Sequence, residues 1–442
     1  MKSPEHIETR WTGLSEVVRM SGPIILGSLS FTIMQFVDQV MVSQLGPEAL
    51  AAVGTAGLWS FTLSTFFLGI VSCVATFVSQ SLGRGNLEQC AQYAWQGIYI
   101  SILVGALAIV LWPWTDALFW AMRHAPETAR LEIIYFRIRL IGYLFIAWQA
   151  SLTAFFQSVN LSKIPMYAGI AANVVNLVLA YALIFGRLGA PRWGVAGAAT
   201  ATVFSLFIQA FLLQVIFLSR RMNLRFGTRG SYRIDRTKII ELCRIGWPVG
   251  VQFFMDIFNW AIFTSFVVGA FGTAQLAAHN AAISFMSLSF MPALGLHHGI
   301  APIVGQWIGR GNTAIAKART YTAMRLAMGY MFLMGLLMGF YGRTLMQRVF
   351  SNDPEVIDLG GLLLICAAIF QTFDAINIVV SGALRGAGDT RWMAVVTVLA
   401  AYVVFLPLAY YFAYPRGLGA FGAWIGATIY IITIPQYPTR PG

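Results

Sequence analysis

Stretches of roughly 20 apolar residues follow one another along the chain from residue 18 to residue 434, separated by short polar segments rich in Gly, Asn, Arg and Pro. Each stretch, coiled as a helix, is long enough to cross a ~30 Å hydrocarbon core. The pattern predicts twelve spans, at 18–43, 50–79, 95–118, 131–155, 163–186, 194–219, 245–269, 275–305, 320–343, 357–383, 391–414 and 419–434. The runs are continuous rather than alternating, and too long for tilted strands of about 10 residues, which disfavours a β-barrel. The expected fold class is an all-α polytopic membrane protein. Composition agrees, because 58% of the 442 residues are hydrophobic, 10% are charged, and the mean hydropathy is +0.71.

The polar segments repeat. QSLGRGN at 80–86 returns as QWIGRGN at 306–312, an offset of 226, and LGPEALAA at 45–52 returns as FGTAQLAA at 271–278. GVAGAA at 194–199 answers GAFGAW at 419–424, and APE at 125–127 answers DPE at 353–355. The chain therefore reads as two homologous halves. Six helices in each half is an even number, so both halves start on the same side of the membrane, as parallel repeats about an axis along the membrane normal. The expected layout is an N-terminal arm at 1–17, an N-lobe at 18–219, a basic linker at 220–244, a C-lobe at 245–434 and a tail at 435–442. QxxGRGN falls after the second helix of each half, where Gly ends a helix and Arg stays in water. A structural role for it is favoured over substrate binding.

The net charge of +12 comes from bases dispersed between helices, which fits the positive-inside rule better than nucleic-acid binding. With the N-terminus in the cytoplasm, 20 of the 29 Lys and Arg fall on that side and 7 on the other, while Arg137 and Arg139 begin the fourth helix. The densest group is Arg220, Arg221, Arg225, Arg229, Arg233, Arg236, Lys238 and Arg244 in the linker. The first residues mix acids and bases without an apolar core, and read as a polar arm rather than a cleavable signal. Cys73, Cys90, Cys243 and Cys366 are too scattered for a metal site or a disulfide framework.

Of the 17 acids, all but Asp38, Asp256 and Asp374 lie in loops or near helix ends. A carboxylate deep in a membrane helix costs roughly 2.5–3.5 kcal/mol, so it usually faces a cavity or binds something. Each of the three shares a helix face with amides: Gln35 and Gln39 with Asp38, Gln252 and Asn259 with Asp256, Gln371 and Asn377 with Asp374. Asn173 and Asn176 form a shorter stripe without an acid. Oxygen-rich stripes suit Na+, and a desolvated carboxyl suits a proton. The competing reading is that these groups only hydrogen-bond between helices. For His279, His297 and His298, packing or interhelical bonding is the favoured role. Pro23, Pro248 and Pro292 can kink spanning helices. Of the aromatics, most are expected in interfacial belts, and some cavity-facing ones can stack on flat cations.

FVDQVMVSQLGPEALAAVG, GWPVGVQFFMD, NVVNLVLAYALIFGRLGAPRWGVAGAA and FDAINIVVSGALRGAGDT, in this order across residues 18–434, together resemble the multidrug and toxic compound extrusion (MATE) transporters, and their bacterial norfloxacin-exporting branch in particular. The resemblance implies two six-helix lobes around a central cleft, alternating access, and export of organic cations against Na+ or H+. It gives Asp38 the role of the first-helix acid, and Asp256 and Asp374 those of the seventh- and tenth-helix acids tied to cation coupling, which makes the latter two the Na+ candidates. Asp353 and Glu355 resemble acids of the outer loop before helix ten. Asp256 stands where the branch often has Glu, Phe370 where it often has Tyr, and Ala180 where a proton-driven branch has a second Asp. The resemblance also implies a multi-pass protein of the plasma membrane, the inner membrane of a bacterium, working as a monomer with no cofactor beyond the coupling ion. A lipid-linked oligosaccharide flippase of the same broad fold, an ion channel and a membrane-embedded enzyme remain alternatives. No HExxH or GxSxG supports the enzyme.

Overall fold

The structure, a computed structural model, describes residues 10–122, 124–349 and 353–433. Inside a bilayer every backbone N–H and C=O must find a partner within the protein, and helices provide it locally. Helix accordingly dominates, with no strand among the described residues. Among the described residues twelve helices carry the fold: α1 (Arg10–Ser43), α2 (Pro47–Gly83), α3 (Leu87–Val110), α4 (Pro126–Ser158), α5 (Lys163–Phe185), α6 (Val195–Phe217), α7 (Arg236–Ile262), α8 (Thr273–Gly309), α9 (Thr313–Val349), α10 (Pro354–Ala387), α11 (Arg391–Ala413) and α12 (Gly419–Thr433). Their number and order match the twelve predicted spans. Several start earlier than the apolar runs, α7 at Arg236 rather than 245 and α9 at Thr313 rather than 320. Hydropathy marks the membrane-buried part of a helix, whereas the hydrogen-bonded ladder runs on into the polar margin. The expected tail at 435–442 and residues 1–9 of the expected arm lie outside the described residues.

Sequence punctuation sets the helix ends. Pro47, Pro126 and Pro354 open their helices at the first position, where a missing N–H costs nothing. The duplicated QxxGRGN is a complete stop-and-restart signal. Gly85 (φ 79°) and Gly311 (φ 77°) take the left-handed conformation that ends α2 and α8. Asn86 Oδ1 then accepts from Gln89 N at 3.2 Å, and Asn312 Oδ1 from Ile315 N at 3.0 Å, which caps the next helix. Arg84 and Arg310 point outward and are exposed, the latter over its own Trp307 ring at 4.5 Å.

The chain divides into two compact units. One comprises Leu26–Phe254 and Gly305–Gly311. Within it the two copies of the repeated turn meet, with Gly83 and Gly309 so close that a Cβ on Gly83 would lie 2.2 Å from Gln306 O, and one on Gly309 2.3 Å from Gln80 O. Gln306 Nε2 also donates to Ser158 O at 2.8 Å and to Asn160 Oδ1 at 3.0 Å. The core of this unit includes an edge-to-face aromatic group around Phe155, with Phe156, Phe217 and Phe226 at 5.0–5.4 Å. The other unit comprises Met1–Ile25, Met255–Val304 and Asn312–Gly442. Its core is built around Trp424, Phe263, Phe370 and Phe405, all buried.

Candidate ion-coupling site

Asp38, on α1, is half-buried and faces α5 rather than its own amide neighbours. The Asn176 amide lies against its carboxylate and, with nitrogen on that side, donates to Oδ1 at 2.9 Å and to Oδ2 at 3.2 Å. Asn176 is fully buried, and one turn earlier Asn173 Nδ2 donates to Ser30 Oγ at 2.8 Å. The two expected stripes thus face each other. Gln35 and Gln39 are exposed, together with Phe36 and Val40. Arg139 of α4 is near enough for its charge to act on Asp38, and its Nε is buried without a hydrogen-bond partner. A guanidinium beside this acid was not evident from the sequence, which placed Arg137 and Arg139 only at a helix start. Arg137 turns elsewhere, to Asp116 at 2.8 Å.

In the second unit Asp256 on α7 and Asp374 on α10 lie within reach of each other's field, the charge of Asp374 acting on Asp256. Both are half-buried, and among the described residues neither carboxylate takes part in a hydrogen bond. The flanking amides behave differently. Gln371 Oε1 accepts from Ser289 Oγ at 2.8 Å and its Nε2 donates to Met338 sulfur at 3.3 Å, so this side chain ties helices together. Asn377 Nδ2 donates to Ile431 O at 3.5 Å, leaving Asn377 Oδ1 buried and unpartnered, as is Asn259 Oδ1. Gln252, one turn before Asp256 on the same helix but belonging to the other unit, also has a buried unpartnered oxygen, Oε1. A buried oxygen without a donor costs about 1–3 kcal/mol. Asn259 and Asn377, each one turn after its acid, thus keep an oxygen without a donor within the unit that holds Asp256 and Asp374.

The histidines serve packing. Trp424 Nε1 donates to His279 Nδ1 at 3.0 Å, which leaves the proton on Nε2 to reach Thr264 Oγ1 at 2.9 Å. His297 Nδ1 meets Ile378 O at 2.8 Å and Ser381 Oγ at 3.2 Å. Beside His297 and His298 lies the fully buried guanidinium of Arg385, near the end of α10. Glu132 is likewise fully buried, paired with His124 Nδ1 at 2.9 Å, although its position near the start of α4 suggested an exposed acid. Asp353 caps α10 through Glu355 N at 3.0 Å, so this outer acid has a structural task. Among the described residues no three His, Cys, Asp or Glu side chains cluster as a metal site.

Two repeated halves of spanning helices, with carboxylates set inside them, define a multi-pass membrane protein. The MatE family model matches residues 23–182 and 248–411, one segment in each half. The chain belongs to the MatE family. It is 29% identical over 419 residues to multidrug resistance protein NorM of Burkholderia vietnamiensis, covering 93% of this chain and 89% of the relative. It is 31% identical over 437 residues to probable multidrug resistance protein NorM of Brucella suis biovar 1, covering 94% and 90%. Its fold matches the outward-facing conformation of a multidrug resistance MATE family transporter of the MOP superfamily, with a TM-score of 0.87 at 22% identity over 98% of this chain and 96% of that one.

Proposed function

We propose that this protein is a secondary active antiporter that exports amphipathic, often cationic, organic compounds in exchange for Na+ or H+. The observation that carries the reading is the Asp256–Asp374 pair, two carboxylates inside spanning helices that sense each other's charge and, among the described residues, accept no hydrogen bond. Acids kept only as interhelical glue would be bonded across helices, as Gln371 is. Carboxylates left without donors serve an exchanging cation or proton, which neutralises their mutual repulsion in one conformation and leaves them to a cationic substrate in the other. The names of the NorM relatives support multidrug compounds as the substrate class. The energetics suffice, because a tenfold ion gradient supplies about 1.4 kcal/mol and sustains about tenfold accumulation in one-for-one exchange of a monovalent cation, and a second ion per cycle, whose net charge crosses ~100 mV, adds about 1.4 plus 2.3 kcal/mol.

The test is efflux of a fluorescent organic cation from proteoliposomes under separately imposed Na+ and pH gradients. Export driven by one of the two gradients, and dissipation of that gradient by the cation, is expected. Ion flux that persists without substrate would point to a channel instead.

We further propose that the protein lies in a bacterial plasma membrane with its N-terminus and linker in the cytoplasm, on the strength of the basic residues between α6 and α7. Gly230 is exposed in that linker. Cys73, Cys90 and Cys366 are buried, so replacing Cys243 alone gives a quiet background. In that background Gly230→Cys is expected to resist a membrane-impermeant thiol reagent in intact cells and to react after lysis. Labelling before lysis would reverse the orientation.

A further inference from the structure

The segment between α6 and α7 carries a surface that ion exchange does not use. Its short helix, Arg220–Phe226, is anchored from within, since Met222 and Phe226 are buried and Phe226 sits edge-on against Phe155 at 5.4 Å. The chain that follows is tied to α3. Trp95 Nε1 donates to Thr228 O at 2.8 Å, Gln96 Nε2 to Arg233 O at 3.0 Å, and Asp235 N to Gln96 Oε1 at 3.0 Å, while Tyr99 OH donates to Tyr232 O. Arg229 Nε closes the turn on Leu218 O at 2.8 Å. These bonds make the segment a fixed ledge rather than a loose connection.

What the ledge turns outward is of two kinds. Arg220, Arg221, Arg225, Arg229, Arg233 and Arg236 are exposed. Between them stand Leu224, Ile234 and Tyr232, at 77%, 67% and 57% exposure. The one acid from 220 to 240, Asp235, is held by Lys238 Nζ at 2.6 Å, so it does not offset the arginines. Orientation during insertion accounts for bases here, but not for large apolar side chains displayed among them. An acidic soluble partner accounts for the charge alone. Arginines interleaved with exposed Leu, Ile and Tyr, on a segment bounded by two spanning helices, fit the boundary between headgroups and acyl chains.

We propose that this ledge is a docking surface for anionic phospholipid headgroups in the leaflet beside it. Guanidinium forks bind the phosphates, often bidentately, and the apolar side chains dip among the upper acyl carbons. The proposal concerns lipid, not cargo, and stands whether or not the protein exchanges ions.

The test uses the purified full chain in detergent, titrated with phosphatidylglycerol, with phosphatidylcholine, and with glycerol phosphate lacking acyl chains. Bound lipid is read by native mass spectrometry. Wild type is expected to prefer phosphatidylglycerol to phosphatidylcholine by at least about tenfold, since each base near an anionic surface contributes roughly fivefold in affinity. Arg220→Gln/Arg221→Gln/Arg225→Gln/Arg233→Gln should remove that preference, and Leu224→Asn/Ile234→Asn should weaken the binding that persists at high salt. If the fourfold variant unfolds, Arg221→Gln alone should still cost a few fold. Equal affinity for the two lipids, unchanged phosphatidylglycerol binding by the variants, or glycerol phosphate binding as tightly as the lipid would each overturn the proposal.

Discussion

Asp374→Asn is expected to insert and fold like wild type and to lose ion-driven accumulation, bringing the uphill gradient sustained by the intact protein down to equilibration. The substitution is nearly isosteric and removes only the ability to ionise. It breaks no interhelical hydrogen bond, because among the described residues the carboxylate makes none and the bonds that tie α10 to its neighbours come from other residues, Gln371, Asn377, Ile378 and Ser381 among them. Removing one of two like charges should leave thermal stability in detergent within about 1 kcal/mol of wild type, or raise it. Export fails for a different reason, since an ion with no differential affinity for the two conformations cannot drive their exchange. The measurement is cation efflux from proteoliposomes at matched protein incorporation, with uphill accumulation separated from downhill leak. Wild-type accumulation would end the coupling role of Asp374. Loss of accumulation together with loss of the folded protein would assign the acid to the architecture instead.

The three acids were legible in the sequence because each stands alone in an apolar run, and the membrane makes that costly. The twelve helices were legible for the related reason that span length is set by the bilayer. What the sequence did not contain was the partner of each acid. Asp38 and Asn176 are on different helices and meet only in the fold, and periodicity relates residues within one helix, not across two. Gln35 and Gln39, grouped with Asp38 by spacing, are exposed, whereas Asp38 is half-buried against Asn176. Charged residues near helix ends were read as wet, a rule that fails where a neighbouring helix or loop covers the end. Glu132 under His124 and Arg385 beside the α8 histidines are two such cases. A short extension of α4 or α10 hidden in this way leaves no mark in hydropathy. The spacing of QxxGRGN, however, carried more than was read from it. The second Gly and the Asn are stop and start signals for consecutive helices, but the first Gly answers a constraint from the other copy of the turn.

That constraint gives the second large expected effect. Gly83→Ala and Gly309→Ala should each destabilise the protein by about 1–3 kcal/mol, although Ala for Gly in a helix ordinarily gains up to about 1 kcal/mol. The sign reverses because the added Cβ meets backbone, 2.2 Å from Gln306 O in one case and 2.3 Å from Gln80 O in the other, and backbone cannot rotate away. Gly85→Ala and Gly311→Ala make a useful contrast, since their cost comes from positive φ alone and nothing lies within 4 Å of either new Cβ. Those should lose about 1 kcal/mol each. The two contact glycines press on the same approach, so forcing the turns apart once relieves part of the second clash. Gly83→Ala/Gly309→Ala should therefore cost less than the sum of its parts, whereas Gly85→Ala/Gly311→Ala should be additive within about 0.5 kcal/mol. Thermal unfolding of the six variants in detergent decides the matter. A stabilised Gly83→Ala, or strict additivity of the Gly83 and Gly309 pair, would mean that the turns are not held against each other.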